Sequence, residues 1–356
     1  FVSSPIIAHT LSNRDLPCHG NGVVSPSSNF HLDLIPGFPS LATLVEMDSA
    51  TQEPHDLLKR LSRQLKAFEP NHPSNDDLQR LGIQISQVAT VNDEIILFNP
   101  CFFRPHPDRL LQKYPVNPDP EENEKPPRLR LVPAFDEIVE DCQEEYSDLE
   151  EAQQAVESQI EALRDLQYDK DWYMQGLSIF DYMGWQLYAS RTIQPGICCL
   201  WDLGDQEYYS PPYKQGDPEL CSIRPRYWQV KHTLRYSSGR GSARPHSIMS
   251  CVAGVAVNDT DQGLTTYELE AIVNMMLIRV NHRPFRNCHI HPVLVLSFVG
   301  PQKGRIIQAV YDGKCLALQH SQLWTFEEPQ TAPVEMFVRY HLSQPVDPEM
   351  STLCVR

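Results

Sequence analysis

The sequence predicts an α/β protein whose mixed central sheet is flanked by helices and preceded by an acidic, mostly helical, proline-interrupted N-terminal region. The second half alternates strand-like apolar runs with one well-capped helix, while the first half combines helical periodicity with clustered prolines. Charge divides the chain in the same way. Residues 1–190 hold 14 Lys and Arg against 31 Asp and Glu, and residues 191–356 hold 16 against 15. This asymmetry predicts different roles for the two halves.

We divide the chain into three regions on this basis. Residues 1–50 are rich in Ser, Pro, Gly and Asn and are predicted to form an irregular arm. Residues 51–190 are predicted to be an acidic helical region. It contains a proline-rich linker over residues 105–133, because each proline removes a backbone donor and fixes φ. Residues 191–356 are predicted to form the mixed α/β domain.

Two helices are predicted in the acidic region. Residues 55–68 carry leucines at helical spacing, and residues 148–166 carry an apolar stripe opposite an acidic face. Ser147 and Glu150 have the spacing of a capping box at the start of the second helix. The stripe of helix 148–166 is a candidate contact for a partner protein, and packing on its own domain is the alternative.

The second half begins with two predicted strands. Residues 197–202 form a short apolar run, which predicts that Cys198 and Cys199 lie in a buried strand. Residues 227–234 alternate in the manner of a half-buried strand.

A helix and a three-strand meander follow. Thr265 and Glu268 form a capping box, and the helix is expected to end near His282 because Pro284 cannot continue it. The meander is predicted over residues 292–299, 305–311 and 314–319, with a hairpin signal at Asp312-Gly313.

Several classes of protein are excluded by motif and composition. The longest apolar run, residues 292–299, is far shorter than the roughly 20 residues of a membrane-spanning helix, so no membrane association is expected. The ten cysteines are thinly spread without a Cys-x-x-Cys pair, which favours reduced thiols and a cytoplasmic or nuclear location. The sequence also lacks the nucleophile elbow, the phosphate loop and the H-E-x-x-H zinc motif.

A positive window occurs in the second half. No acidic residue lies between Glu219 and Asp259, and such a window can hold a phosphate backbone of DNA or RNA. The candidate nucleic-acid contacts in it are Arg224, Arg226, Arg235, Arg240 and Arg244. The alternative is that these arginines lie in solvated loops and pair with acidic residues of the first half.

Asp217, Gln229 and Lys231 are the candidate catalytic residues. Cleavage of a phosphodiester with Mg²⁺ needs an acidic ligand, a second oxygen ligand and a lysine near the scissile phosphate. Residues i and i+2 of a strand share a face, so Gln229 and Lys231 are expected to project together. Asp217 and Gln229 are therefore the predicted Mg²⁺ ligands, with Asp202 as the alternative acid.

These residues resemble the pattern of the PD-(D/E)XK nuclease superfamily. Gly216-Asp217-Pro218 stands for its acidic motif and Gln229-Val230-Lys231 for its (E/Q)-x-K motif, followed by a helix and a strand. The resemblance covers residues 195–325 and extends to uncharacterised proteins of filamentous fungi. It implies a Mg²⁺-dependent nuclease, although Gln in place of the usual Glu removes one negative charge at the metal.

Three alternatives stay open for the same chain. In the first, Gln229 and Lys231 are solvent-facing positions of an edge strand whose Trp228 and Val230 face the core. A nuclease-like fold without activity would serve in nucleic-acid binding, since fold does not determine function. A non-enzymatic protein-interaction scaffold would use helix 148–166 and the acidic surface.

Overall fold

The computed structural model describes most of the chain between residues 49 and 347. The interruptions are 93, 119–122, 124–125, 128, 130–138, 140–141, 144, 147, 166–171, 210–218, 223–226, 237–243, 259–262, 283–284, 286–287, 289 and 312–314. The predicted arm, residues 1–50, lies outside the described residues except for its last two positions, and so does the capping residue Ser147.

Seven helices and thirteen strands are found in the described part. The helices are Ser49–Lys66 (α1), Asn75–Leu81 (α2), Leu110–Lys113 (α3), Leu149–Asp165 (α4), Trp172–Tyr188 (α5), Thr266–Asn281 (α6) and Val334–His341 (α7). The strands are Ile83–Gln87 (β1), Thr90–Val91 (β2), Ile95–Ile96 (β3), Phe103–Arg104 (β4), Gln206–Tyr208 (β5), Cys221–Ser222 (β6), Trp228–Tyr236 (β7), Ser247–Ala256 (β8), His291–Gly300 (β9), Lys303–Tyr311 (β10), Leu316–His320 (β11), Trp324–Thr325 (β12) and Gln344–Pro345 (β13).

The central sheet is mixed and has nine strands among the residues described. Its main order is β1-β11-β10-β9-β8-β7-β5, with β12 paired to β10 and β6 paired to β7. The pairs β1–β11 and β8–β9 are parallel, and the other pairs are antiparallel. The predicted α/β class with a mixed sheet flanked by helices is confirmed. Residues 47–356 form one compact unit, and β1, from the acidic half, is an edge strand of the same sheet.

The helix and meander predicted in the second half are confirmed. Thr265 caps α6 and Glu268 bonds back to it, as the capping-box spacing predicts. Strands β9, β10 and β11 are consecutive antiparallel neighbours. The sequence analysis missed β8, which pairs with β7 on one side and with β9 on the other.

The strand predicted over residues 197–202 is wrong. Gln194 bridges Ile197 across a turn in which Gly196 has a φ of 85°, and a single 3₁₀ turn, Leu200–Leu203, follows. Within the run Leu200 is fully buried, whereas Cys198 is exposed. A tight turn that buries one leucine replaces the expected buried strand.

One face of the sheet is covered by two helix layers. Helix α6 is buried almost all round, because α1 packs over its outer side while its inner side lies on the sheet. Leu58, Leu61 and Leu65 of α1 belong to the same apolar cluster as the α6 side chains. The described α6 side chains are therefore largely shielded from solvent.

The opposite face is covered by α5 and α7. A Cβ built on Gly176 of α5 would lie 3.1 Å from Phe298 O and from Val252 Cγ1, so the glycine lets α5 approach the sheet closely. Phe298, Val252 and Phe337 of α7 belong to one apolar cluster. The side chains at the start and along the outer edge of α5 are thereby held beside β7.

Two segments of the acidic half contain buried side chains. In the proline-rich stretch 105–133, Leu110 is fully buried, and Glu335 accepts hydrogen bonds from the backbone N–H groups of Leu110 and Leu111. In α4, Val156 packs against Cys142. Asp148 Oδ1 accepts from the backbone N–H groups of Glu150 and Glu151 in the first turn of α4. Among the described helices, none is long and apolar enough to cross a membrane.

The α6 face contains a buried ion pair. Arg305 Nε donates to Glu268 Oε1 at 2.9 Å, and both side chains are fully buried. Ser297 Oγ donates to the same oxygen at 2.7 Å, and Thr265 donates to Oε2 from its backbone and its hydroxyl. Desolvation alone would raise the pKa of Glu268, but the Arg305 charge and these hydrogen bonds outweigh it and lower the pKa. Glu268 is therefore a fully paired carboxylate that joins α6 to the sheet.

Candidate functional site

A β-bulge in β7 positions Lys231. Val230 pairs with Cys251 of β8 and His232 pairs with Ser250, so Lys231 is an extra residue without a register partner. Bulges redirect side chains in this way and are frequent beside functional sites. The Lys231 ammonium lies 3.4 Å from Gln229 Oε1, so the two side chains share the α5 face of the sheet, as period-two alternation predicts.

Gln229 is held by a tyrosine of α5. The Tyr173 hydroxyl donates to Gln229 Oε1 at 2.8 Å, and the Tyr173 ring lies 4.2 Å, centroid to centroid, from the ring of Tyr227. Burial raises the pKa of Tyr173, so its hydroxyl stays a proton donor at neutral pH. The outer ring, Tyr227, is 44% exposed. Tyr227, Gln229 and Lys231, which we call the β7 row, thus line one face at two-residue intervals.

Asp181 of α5 provides a negative charge beside this row. Its side chain is exposed, but neighbouring groups remove part of its hydration and raise its pKa, while the Lys231 charge acts in the opposite direction. Unlike Glu268, this carboxylate accepts no hydrogen bond from the residues that the structure describes. It moderates the positive potential of Lys231 without neutralising it through a close ion pair.

His232 continues the α5 face beyond the bulge. Its ring packs edge-on against Phe180 of α5 and against Tyr208, at centroid distances of 4.6 and 5.1 Å. His341 of α7 lies 6.3 Å away. Burial lowers the pKa of His232 to about 4 and that of His341 to about 3, so both rings are neutral at physiological pH. The two neutral rings therefore contribute packing contacts on the α5 face, and they do not form an acid–base pair at physiological pH.

The predicted Mg²⁺ ligands are only partly described. Asp217 lies outside the described residues. Gln229 Oε1 accepts from the Tyr173 hydroxyl and faces the Lys231 ammonium, so two proton donors occupy the atom that would bind the metal. Gln229 does not fit Mg²⁺ in this arrangement. The alternative acid, Asp202, lies in the 3₁₀ turn, where the Cys199 thiol donates to it at 3.3 Å.

The predicted nucleic-acid contacts fall into two groups. Arg224, Arg226 and Arg240 lie outside the described residues. Arg235 pairs with Glu207 of β5 at 3.1 Å, and Arg244 lies 3.4 Å from Asp347. Each of these two arginines therefore has an acidic neighbour, and both neighbours belong to the second half of the chain.

Sequence reasoning did not find three residues of this site. Tyr173 and Asp181 lie on α5, where nothing in the local sequence distinguishes a residue facing β7 from other helix positions. Tyr227 had a detectable signal, because it precedes Gln229 and Lys231 at the same two-residue spacing.

The arrangement presents an exposed aromatic ring, an amide and one cation in a row, without a described acid–base pair. In chain order, strand β8 lies between β7, which carries Gln229 and Lys231, and helix α6. The nuclease resemblance did not include this strand. Comparisons of the chain with protein-family models, with curated proteins and with solved structures find no match.

Proposed function

We propose that the protein binds single-stranded nucleic acid, DNA or RNA, along the β7 row and holds it without cleaving it. One observation carries the proposal: the half-exposed ring of Tyr227, packed against buried Tyr173, shares a strand face with the bulged cation Lys231. Proteins that bind single strands combine aromatic rings, on which bases stack, with cations that contact the backbone.

The chemistry of the row suits an unpaired base and its phosphate. Tyr227 offers a ring whose orientation is fixed by Tyr173, which lowers the entropy lost on stacking. Lys231 offers a charge that is half-buried and directed by the bulge. The row lies in the acid-free window of the sequence, and Asp181, whose carboxylate interacts with the Lys231 charge, is on a different element.

Cleavage is not part of the proposal, because Gln229 does not fit Mg²⁺ among the residues described. A Mg²⁺-dependent nuclease of the PD-(D/E)XK type remains a prediction that depends on Asp217. The same binding experiment tests it, since the oligonucleotide can be recovered and its length measured.

Fluorescence anisotropy with labelled single-stranded DNA, single-stranded RNA and duplex DNA tests the proposal. We expect Tyr227→Ala to weaken binding of single strands roughly tenfold, as losing one stacked base costs about 1–3 kcal/mol. We expect Lys231→Ala to weaken binding and to reduce the salt slope of log K by about 1. Matched controls are Tyr146→Ala, another exposed tyrosine, and Lys59→Ala, an exposed lysine of α1.

The outcomes separate binding from cleavage. Equal binding by wild type, Tyr227→Ala and Lys231→Ala would refute the proposal, and so would the absence of any binding by folded wild-type protein. Shortening of the oligonucleotide with Mg²⁺ that is abolished by EDTA and by Asp217→Asn would instead establish the nuclease.

If the protein is instead a non-enzymatic interaction scaffold, its contact through α4 is limited to the N-terminal end of that helix. Ala152 and Val156 are buried, and Val156 packs on Cys142 of the same chain, so a charge at Val156 would disturb folding rather than report on a partner. Leu149, in contrast, is 74% exposed. A protein partner bound through α4 would contact Leu149, and Leu149→Glu is the variant that would abolish such binding without unfolding the helix.

We infer a cytoplasmic or nuclear location for this function. The support is chemical: the eight described cysteines are free thiols, and five of them are exposed or half-exposed, namely Cys198, Cys199, Cys221, Cys288 and Cys315. Exposed thiols persist in reducing compartments. Localisation of the tagged full chain by microscopy tests this inference, and a secreted product would contradict it.

A further inference from the structure

A second cluster of reactive side chains lies away from the β7 row. Cys199 immediately precedes the 3₁₀ turn Leu200–Leu203, and Asp202 lies within it. Side chains three residues apart are eclipsed in a 3₁₀ turn, so Cys199 and Asp202 fall on the same side. The Cys199 thiol accordingly donates to Asp202 Oδ2 at 3.3 Å. Cys198, exposed beside them, completes the group.

The three side chains are close enough to share one ion. The two sulfur atoms and a carboxylate oxygen all lie within 4.8 Å of one another. In a tetrahedral zinc site with bonds of about 2.0–2.3 Å, ligand atoms are about 3.5–3.8 Å apart. A contraction of about 1 Å by side-chain rotation is therefore sufficient. Because Cys198 and Asp202 are exposed, this rotation does not disturb the core.

We propose that Cys198, Cys199 and Asp202 bind a zinc-class divalent cation, with a fourth coordination position open to water. Two sulfur ligands and one carboxylate match the donors that zinc takes in proteins. The donor set excludes the Mg²⁺ expected for Asp202 from the sequence, because Mg²⁺ takes oxygen ligands. The site is independent of the β7 row and of the proposed nucleic-acid binding.

Aromatic packing holds the turn in place. The Trp201 ring stacks on Tyr208 at 4.7 Å with an interplanar angle of 14°, and the hydroxyls of Tyr188 and Tyr208 are hydrogen-bonded. Leu200 is fully buried beneath the turn. The backbone that carries Cys199 and Asp202 is thus fixed before an ion arrives, and this preorganisation lowers the cost of binding.

Protons compete with the metal at Cys199. The Cys199 thiol is the donor of the hydrogen bond to Asp202 Oδ2, so it carries its proton when no metal is bound. Metal ligation requires the thiolate, and binding therefore releases this proton. The apparent affinity is expected to rise with pH through the neutral range.

Titration of the reduced full-length protein with Cd²⁺ and Co²⁺, followed by competition with Zn²⁺, tests the site. We expect one ion per chain with the ultraviolet charge-transfer absorption of two thiolates. Cys198→Ser and Cys199→Ser are each expected to halve this absorption and to weaken binding at least tenfold. Asp202→Asn should keep the absorption and weaken binding. The matched control is Cys221→Ser, which removes an exposed thiol elsewhere and should change nothing.

Three results would overturn the proposal. The first is unchanged absorption in the double variant Cys198→Ser/Cys199→Ser, and the second is unchanged affinity in Asp202→Asn. The third is displacement of the bound ion by millimolar Mg²⁺, which would indicate oxygen ligands. Circular dichroism of each variant without metal checks that loss of binding does not come from unfolding. Because Cys198 is exposed, Cys198→Ser keeps the test valid even where the Cys199 variant is unstable.

Discussion

On the α6 face of the sheet Glu268 is fully buried, with Arg305 and three hydrogen-bond donors around it, and its pKa is lowered. On the α5 face Asp181 lies at the surface, and partial desolvation raises its pKa. The pKa values of these two carboxylates, on opposite faces of one sheet, are thus shifted in opposite directions. A fully paired charge holds helix and strands together, whereas an incompletely paired one leaves electrostatic interactions for a ligand. This difference is a reason to propose the α5 face, rather than the α6 face, as the one that binds a ligand.

The largest effect is expected from breaking the paired face. Glu268→Gln removes the negative charge and leaves Arg305 buried without its counterion, so we expect the free energy of unfolding to fall by about 3–5 kcal/mol. Urea unfolding followed by circular dichroism measures this loss. A loss below about 1 kcal/mol would show that the network does not hold α6 to the sheet.

The neutral histidines of the α5 face predict a pH dependence. The folded pKa values of His232 and His341, about 4 and about 3, lie below the unfolded value of about 6.5. The unfolded chain therefore binds more protons as pH falls below about 6.5, and stability decreases between pH 6.5 and 4. Each histidine contributes a slope of up to about 1.4 kcal/mol per pH unit.

Thermal unfolding of wild type and His232→Phe between pH 7 and 5 measures this slope. The variant should lose stability less steeply, because one of the histidines that gain a proton on unfolding has been removed. Parallel slopes for the two proteins would mean that His232 is not buried as the structure shows.

A smaller effect is expected where the site touches α5. Tyr173→Phe removes the hydrogen bond to Gln229 Oε1 and should cost about 1 kcal/mol of stability. It also frees Gln229, so binding of single-stranded oligonucleotides should weaken while Tyr227 keeps its aromatic neighbour. Anisotropy and urea unfolding on the same samples measure both changes. Unchanged binding would show that the amide of Gln229 does not need to be held.

The smallest stability effect is expected at Asp181. Because its pKa is raised, the charged form opposes folding at neutral pH, and Asp181→Asn should change stability by no more than about 0.5 kcal/mol, in the stabilising direction if at all. Removing the negative charge beside Lys231 should strengthen oligonucleotide binding. Destabilisation comparable to that of Glu268→Gln would erase the contrast between the two faces.

Local patterns predicted the elements that are defined by their own residues. The Thr265–Glu268 capping box and the apolar run of β9 are examples, because a cap and a continuously buried strand are visible within a few positions. Strand β8 was missed because Ser250 and Gly254 interrupt its apolar run. The parallel pairing of β1 with β11 joins Ile83 to Leu316, and no local signal specifies a partner so far along the chain.

The candidate site was likewise predictable only where its signal lies within a few neighbouring residues. Two-residue spacing predicted that Gln229 and Lys231 share a face, and the 3.4 Å contact agrees with it. The bulge has no sequence signature here, so the position of His232 on that same face was not foreseeable. Asp181 was missed because its role depends on how closely Gly176 lets α5 approach the sheet, which is a property of packing rather than of sequence pattern.

Because of the bulge at Lys231, even-numbered residues face opposite sides of the sheet at the two ends of β7. Before it, the even-numbered Trp228 faces α6, where its indole N–H donates to Glu270, and after it the even-numbered His232 faces α5. Without Lys231, Val230 and His232 would be consecutive and would keep their partners Cys251 and Ser250, so Trp228 and His232 would stay on their faces by regular alternation. The extra residue is therefore not needed to position these two anchors, and what it adds is a cation on the α5 face. Both substitution and deletion of Lys231 should be tolerated in folding, and both should remove the positive charge from the β7 row.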